Sequence, residues 1–121
     1  MSTLATQAQV LAPRPSPAST LTQDLGLTEV KVEYFRPKMN GRKIFGDGSS
    51  FVVPFGELWR TGANGGTKIT FSDTVKAGGT TVAPGQYLLI TKPGKDQWEV
   101  ILYADPTLGS NLSAMKPEKV V

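Results

Sequence analysis

The feature that most constrains the fold is a two-residue alternation of apolar and polar side chains. It is clearest in residues 28–35, TEVKVEYF, where three apolar side chains alternate with three charged ones. Successive side chains of a β-strand point to opposite faces, so this period predicts a strand with one face in the core and one in water. Residues 67–72, TKITFS, repeat the pattern, with Ile69 and Phe71 predicted to point inward. The alternation therefore predicts a β-rich fold.

Turn signals separate these segments along the chain. Asn40-Gly41 suits a tight turn, Gly78-Gly79 suits a hairpin, and Pro93-Gly94 suits the middle of a type II turn. With 13 glycines and 9 prolines the chain has too many breakers for a helical bundle, and a hydrophobic fraction of 39% suffices for one packed interior. We predict a single antiparallel β-sandwich or barrel-like domain of about seven to eight short strands.

The remaining segments extend this prediction. GRKIFG (41–46), SSFVVPFG (49–56) and ELWR (57–60) are predicted to contain short strands, the second of which stops at a proline. YLLI (87–90) is apolar on both faces, which predicts a central strand covered on both sides. In WEVILYA (98–104) the side chains predicted to share one face are Trp98, Val100 and Leu102.

The first twenty residues lack any such pattern. Pro13, Pro15 and Pro17 stand among small polar residues, and Arg14 is the one charge in the segment. A composition of this kind buries too little apolar surface to offset ordering, so residues 1–20 are predicted to be a flexible arm and residues 21–121 the domain. The arm also lacks the basic start and apolar block of an export signal, and no apolar run approaches the roughly 20 residues of a membrane span.

The absence of cysteine and histidine excludes several function classes. Disulfides, thiol nucleophiles, histidine bases and imidazole metal ligands are impossible, which leaves carboxylates, Lys or Tyr acid-base groups and hard cations bound by oxygen. The acids that a hydrolase would need lie in predicted turns or at outward strand positions: Asp47, Glu57, Asp73, Asp96 and Glu99. We predict neither a metal nor a cofactor, and a carboxylate-based hydrolase is the less favoured alternative.

A tryptophan and an arginine directly precede a glycine-rich loop in GELWRTGANGG (56–66). In an architectural interpretation, Trp59 fills the core, Arg60 pairs with a carboxylate such as Glu57 or Glu99, and the glycines form a turn with positive φ.

In a binding interpretation, Trp59 and Arg60 face solvent together with Asn64, and they stack on a sugar ring or hold a carboxylate. Glycine-rich backbone can also hold anions, but the Gly-Lys-Ser/Thr sequence of a P-loop is missing here. The exposure of Trp59 and Arg60 distinguishes the two interpretations.

The densest basic group lies between two aromatic residues, Phe35 and Phe45, and consists of Arg36, Lys38, Arg42 and Lys43. Such a group suits a nucleic-acid backbone if its members line one groove beside an exposed ring. The simpler interpretation is a solvated turn between two strands, and the 13 basic residues are otherwise mixed with acids along the chain, giving a net charge of +3. We do not predict a nucleic-acid partner.

Three ordered blocks resemble the DUF2911 family of bacterial proteins of unknown function: VEYFRPKMNGRKIFG, VPFGELWRTGANGGTKITFS and APGQYLLITKPGKDQWEVILY. The similarity runs from about Pro15 to Tyr103. The family pattern corresponds to Arg36-Pro37, Gly41-Arg42, residues 59–64, Gly85 with Tyr87, and Trp98. The ligand-binding candidates drawn from these positions are Trp59, Arg60, Asn64, Arg42 and Arg36.

The resemblance implies a compact β-rich domain that is usually found behind an export signal, and therefore an exported or periplasmic protein, with no established activity. Relatives continue with strand-forming sequence beyond WEVILY, whereas this chain stops soon after it. An open sheet edge beside residues 97–104 would then be covered economically by a second copy, which predicts a homodimer. We expect a noncatalytic binding or structural module; the alternative is a small-ligand or carbohydrate-binding module using the Trp59–Asn64 loop.

Overall fold

The computed structural model describes residues 15–121. Within these residues nine strands follow one another: β1 (Ala18–Leu25), β2 (Thr28–Phe35), β3 (Phe45–Gly46), β4 (Val53–Pro54), β5 (Thr67–Phe71), β6 (Val75–Ala77), β7 (Thr80–Val82), β8 (Gly85–Lys92) and β9 (Glu99–Tyr103). Three one-turn 3-10 helices follow them: Pro106–Leu108, Leu112–Ala114 and Pro117–Lys119. The predicted all-β class is therefore confirmed. Among residues 15–121, no helix has the length and apolar character that crossing a membrane requires.

The main sheet has five antiparallel strands in the order β1-β2-β5-β8-β9. Its register places apolar residues of the predicted alternation opposite one another, as in Val32 beside Ile69 and Ile69 beside Tyr87. Partners in register share one face, so the two-residue period seen in the sequence builds a continuous apolar surface. The boundaries predicted for TEVKVEYF coincide with those of β2.

The core lies on both faces of β8, as predicted for a central strand. On one face Tyr87 packs with Phe71 and with Val82 of the β6–β7 hairpin. On the other face Leu88 and Ile90 are fully buried and pack with Tyr103, beneath the C-terminal 3-10 helices. Both clusters exclude water from apolar area, which supplies the main favourable contribution to folding.

The two smaller sheets differ in part from the prediction. β6 and β7 form the expected hairpin through Gly78-Gly79. β3 and β4 pair in parallel over two residues each, because residues 47–52 carry the chain back in the same direction. ELWR forms no strand, and only Trp59 makes an isolated bridge, to Thr91. A sandwich or barrel closure remains a prediction.

The first strand begins inside the segment predicted to be an arm. β1 starts at Ala18 and pairs along its full length with β2 through a turn at Gly26. Nearly all of β1 is exposed because it is the edge strand of the sheet. In addition, β5 pairs only with residues 30–33 of β2, so part of the β1–β2 pair extends past the other strands. Residues 1–14 of the predicted arm lie outside the described part of the chain, so their flexibility remains a prediction.

The last residues fold back onto the free edge of β9. The Ala104 N–H donates to the Lys119 carbonyl at 2.8 Å, and the Val121 N–H donates to the Leu102 carbonyl at 2.9 Å. The buried Tyr103 hydroxyl accepts from the Lys116 N–H at 2.9 Å. The edge predicted to bind a second copy is thus covered over part of its length, with Val100 still 65% exposed. The homodimer remains a prediction.

Candidate functional site

The glycine-rich loop, TGANGG (residues 61–66), is an excursion from the main sheet. Trp59 pairs with Thr91 through two backbone hydrogen bonds of 2.8 and 3.1 Å, at the end of β8. The chain leaves the sheet after Arg60 and returns at Thr67, whose N–H donates to the Arg60 carbonyl at 3.3 Å. The two ends of the TGANGG loop are therefore held together while its middle is free to line a neighbouring space.

Two glycines of the TGANGG loop are required by space as well as by backbone angle. A Cβ at Gly62 (φ +114°) would lie 3.0 Å from the Phe35 carbonyl oxygen. A Cβ at Gly66 (φ +87°) would lie 3.1 Å from the Arg60 carbonyl oxygen and 3.3 Å from Leu88 Cδ1. Both positions favour glycine because L-residues are strained at such φ values. The loop is thus packed tightly against β2 and the core.

Thr61 is the strained residue of this loop. Its φ is +60°, which is unusual for a β-branched side chain. Its hydroxyl donates to the Trp59 carbonyl at 3.2 Å and shares a hydrogen bond of 2.9 Å with the Thr91 hydroxyl, while its carbonyl accepts from the buried Thr67 hydroxyl. Strain of this kind persists where surrounding contacts fix it, and it concentrates at binding and catalytic sites.

A cavity of about 900 Å³ opens beside the TGANGG loop, where β2 ends and β5 begins. We call it the arginine cavity. Its lining contains four cationic side chains: Arg36, Lys38, Arg42 and Arg60. It also contains four aromatic rings: Tyr34, Phe35, Phe45 and Trp59. None of the ten acidic residues of the chain lines it.

The arginine cavity brings together four of the five residues predicted from the sequence as ligand-binding candidates. Trp59, Arg60, Arg36 and Arg42 all line it, whereas Asn64 is exposed and lies outside the lining. Asn64 instead has a φ of +53°, which asparagine tolerates well, so it serves the turn. Ligand binding by the other four residues remains a prediction.

The three arginines of the cavity differ in their hydrogen bonds. Arg42 closes the turn before it, because its Nε donates to the Met39 carbonyl at 3.0 Å and its Nη2 to the Lys38 carbonyl at 2.8 Å. Arg60 makes one long bond of 3.4 Å from Nε to the Gly62 carbonyl. Arg36 makes no side-chain hydrogen bond within residues 15–121. Arg36 and Arg60 therefore keep donors for a ligand, while Arg42 is largely committed to the fold.

No carboxylate of residues 15–121 neutralises these guanidinium groups. The two ion pairs in that part of the chain join Lys92 to Glu99 at 3.9 Å and Lys119 to Asp105 at 3.5 Å. Glu99, one of the partners considered for Arg60, is thus paired elsewhere. The architectural interpretation of Arg60 as a salt-bridge partner is not supported.

Trp59 belongs to an exposed aromatic cluster instead of the core. Its ring meets Phe45 at 5.2 Å and Trp98 at 6.2 Å, and Phe45 meets Trp98 at 5.0 Å, all edge to face. Phe45 is 37% exposed and Trp98 is 44% exposed, and Trp59 itself is half-buried. Trp98 stands just before β9 and outside the core, and its sharing of one face with Val100 and Leu102 remains a prediction.

Sequence spacing offered no way to foresee this aromatic cluster. Phe45 belongs to β3, whereas Trp59 and Trp98 lie outside the strands, and the bridge between Trp59 and Thr91 holds Trp59 near the end of β8. The available signal was that two of the blocks resembling one family each contain a tryptophan. This signal marked Trp59 and Trp98 as positions of interest, but it did not show that their side chains meet in the fold.

The carboxylates predicted for a hydrolase line neither the arginine cavity nor a second cavity beside the β6–β7 hairpin. Hydrogen bonds from the Thr107 hydroxyl and N–H, together with the nearby Lys119, lower the pKa of Asp105 below its ordinary 3.8, the opposite of what a general acid needs. Within residues 15–121 no group of three or more acidic side chains is placed to hold a metal ion.

A second cavity, of about 480 Å³, lies between the β6–β7 hairpin and the main sheet. We call it the hairpin cavity. No charged side chain lines it, and its walls include Ile69, Phe71, Val82, Leu102 and Val121. Since two of these residues belong to the core cluster around Tyr87, the hairpin cavity is a gap at the open side of that core.

These features define an all-β domain with a cationic, aromatic-lined cavity beside a strained glycine-rich loop. The family model described as Protein of unknown function (DUF2911) matches residues 16–121, so the chain belongs to the DUF2911 family. The family predicted from the three sequence blocks is therefore confirmed. No curated protein and no solved structure matches the chain.

Proposed function

We propose that this domain is a noncatalytic module that binds a small anionic ligand in the arginine cavity. The observation that carries the proposal is the lining itself, which contains four cationic side chains and no carboxylate. Like charges repel one another, and water screens this repulsion only in part for the exposed Arg36, Lys38 and Arg42. An anion bound among them would remove this cost.

The geometry of the arginine cavity suits such a ligand. Its volume of about 900 Å³ lies within the range of roughly 300–1,000 Å³ that is typical of small-molecule sites. Arg36 and Arg60 retain guanidinium donors, and a guanidinium matches a carboxylate or phosphate with two parallel hydrogen bonds. The fixed TGANGG loop holds Arg60 in place at one end of the sheet.

Binding is favoured over catalysis by the chemistry of the lining. The chain has no histidine and no cysteine, and the arginine cavity offers donors and rings without a carboxylate base. Nucleic-acid binding is less favoured because Lys43, one of the four residues required to line one groove, lies outside the cavity.

The test uses the two tryptophans of the chain. Trp98→Phe preserves an aromatic ring in the cluster and leaves Trp59, which lines the cavity, as the single indole. Titration of this variant with citrate and with inorganic phosphate is expected to give a saturable change in fluorescence that weakens as salt is added.

Substitutions that each remove one positive charge distinguish a specific binding site from general electrostatic attraction of anions to the protein. Arg60→Ala and Arg36→Ala are expected to weaken citrate binding by about 10-fold or more, since hydrogen bonds to charged groups contribute about 1.5–3 kcal/mol. Lys43→Ala removes the same charge from an exposed position outside the cavity and serves as the matched control. Equal weakening by Lys43→Ala and Arg60→Ala, or no saturable binding of either anion, would refute the proposal.

A further inference from the structure

We infer that the anion bound in the arginine cavity is a sugar acid, a hydroxylated ring that carries a carboxylate. This inference rests on the proposed function and adds the chemical class of the ligand. Three kinds of group meet in one lining: aromatic rings, guanidinium groups that form no ion pair within residues 15–121, and hydroxyl groups. Each matches a different part of a sugar acid.

The ring of the sugar acid is matched by Phe45 and Trp59, which form an aromatic wall of the arginine cavity. Carbohydrate rings lie against the face of an exposed indole or phenyl ring, where apolar C–H groups are removed from water. Phe45, Trp59 and Trp98 already touch edge to face at 5.0–6.2 Å, with interplanar angles of 66–76°, so no flat ring can insert between them. The cluster therefore offers outer faces for stacking and no sandwich slot of the kind that suits a nucleobase.

The carboxylate is matched by guanidinium groups that stand next to rings. Arg60 directly follows Trp59 in the chain and Arg36 directly follows Phe35, and all four residues line the cavity. A ligand whose charge lies close to its ring satisfies both kinds of group at once. A chain-like anion would use the arginines and leave the rings without a partner.

The hydroxyl groups of a sugar are matched by polar side chains in the same lining. Ser16 and Ser110, which make no side-chain hydrogen bond within residues 15–121, line the arginine cavity. Backbone N–H groups add to them, since those of Thr61, Gly62 and Ala63 in this lining donate to no acceptor within residues 15–121. A hydroxylated ring can pair with these donors and acceptors, whereas an unsubstituted aromatic acid cannot.

The experiment compares four probes on the Trp98→Phe protein, with Trp59 as the reporter. D-glucuronate carries both ring and charge, D-glucose carries the ring alone, acetate carries the charge alone, and benzoate carries a flat ring and charge without hydroxyls. We expect D-glucuronate to bind at least about 10-fold more tightly than D-glucose, because one charge-assisted contact contributes about that factor. It should bind about 3- to 10-fold more tightly than acetate, which lacks the ring contact, and than benzoate, which lacks the hydroxyl hydrogen bonds.

Substitutions at an arginine and at an aromatic residue of the arginine cavity test which side chains give the preference for D-glucuronate. Arg36→Ala is expected to remove most of the preference for D-glucuronate over D-glucose, and Arg36 is exposed, so its loss leaves the fold intact. Phe45→Ala is expected to reduce the preference for D-glucuronate over acetate by about 3- to 10-fold, the usual size of an aromatic contact. Lys43→Ala should change neither ratio, and the urea midpoint of each variant reports whether it is folded.

The possible outcomes distinguish this inference from the function on which it rests. Acetate or citrate binding as tightly as D-glucuronate would overturn the sugar acid and leave anion binding standing. Benzoate binding as tightly as D-glucuronate would likewise overturn it, in favour of an aromatic acid. If no anion binds while D-glucose does, both the inference and the proposed function fall.

Discussion

Two glycine-rich loops of this domain look alike in sequence and differ in what surrounds them. The AGG turn (residues 77–79) joins β6 to β7, and added Cβ atoms at Gly78 and Gly79 would meet nothing within 4 Å. The TGANGG loop has similar backbone angles, but added Cβ atoms at Gly62 and Gly66 would press on neighbouring backbone and on the core. The first loop is a local turn, and the second is part of the tertiary structure.

The contrast explains why only one of these loops stands beside a candidate site. A hairpin turn needs only the positive φ values that glycine provides, and any solvent-exposed turn meets that need. The TGANGG loop also contains a strained threonine and directly follows Arg60, which lines the arginine cavity together with three other cationic side chains. Its glycines allow the backbone to approach β2 closely, and that approach forms one wall of the arginine cavity.

The strongest test of this contrast is a pair of alanine substitutions at almost equal φ. Gly66 has φ +87° and Gly79 has φ +84°, so the backbone strain of alanine should be nearly the same. Gly79→Ala should lower the free energy of unfolding by about 1–2 kcal/mol, from φ alone. Gly66→Ala should lower it by about 2–4 kcal/mol, because overpacking against the Arg60 carbonyl and Leu88 adds to that strain.

Urea denaturation followed by far-UV circular dichroism measures both free energies. The difference between the two variants isolates the packing contribution, since the backbone contribution cancels. Equal losses would show that the TGANGG loop is as loosely packed as the AGG turn, and the contrast between the two loops would then be wrong.

Much of this architecture was predictable because its signals are local. The alternation in β2 and β5 follows from side chains that must face either core or water, and it placed both strands correctly. β1 was missed because ASTLTQDL lies at an exposed edge, where Leu21 and Leu25 are more than half exposed and no alternation is needed. A strand without a buried face leaves little trace in its sequence.

The candidate site was predictable only in part, for a similar reason. Trp59 and Arg60 are neighbours in the chain, so their association could be proposed from the sequence alone. The meeting of Trp59 with Trp98 depends on the bridge to Thr91, and the approach of Arg36 depends on the end of β2. These are tertiary contacts that no spacing along the chain expresses. Asn64 was assigned to the site from proximity in sequence, but it lies outside the lining of the arginine cavity.

A hydroxyl deletion provides a smaller test of the same contrast. Thr67 is buried, and its hydroxyl donates to the Thr61 carbonyl, fixing the strained end of the TGANGG loop. Thr67→Val leaves that carbonyl without its partner and should lower the free energy of unfolding by about 1–2 kcal/mol. It should also weaken citrate binding in the arginine cavity, because Arg60 loses its fixed position.

Thr81→Val in β7 is the matched control for that deletion. Thr81 is exposed in the hairpin that carries the AGG turn, and valine suits a strand, so the expected change lies within about 0.5 kcal/mol. Chemical denaturation measures both variants, and titration with citrate measures the binding. A Thr67→Val protein of unchanged stability and affinity would show that the loop does not depend on this bond.

The smallest expected effect is a loss of stability at acid pH, which should affect the TGANGG loop and not the AGG turn. Asp105 caps the 3-10 helix Pro106–Leu108, and Gly109 after it packs beside the Gly65 backbone of the TGANGG loop. Hydrogen bonds from Thr107, with Lys119 close by, lower the pKa of Asp105 below 3.8 in the folded protein. A lowered folded pKa means that the stabilisation is present above pH 3.8 and is lost as the pH falls through the folded pKa.

The comparison of wild type with Asp105→Asn removes the titration of all other acids from this measurement. The wild type should be the more stable of the two near pH 6, and the difference between their urea midpoints should shrink towards zero as the pH falls through the folded pKa of Asp105. In hydrogen exchange, the same substitution should speed exchange near Gly65 and leave Gly79 unchanged, because an added Cβ at Gly79 would meet no atom within 4 Å. A difference in midpoints that stays constant with pH, or equal effects at both glycines, would mean that the C-terminal segment does not support the TGANGG loop through the Asp105 carboxylate.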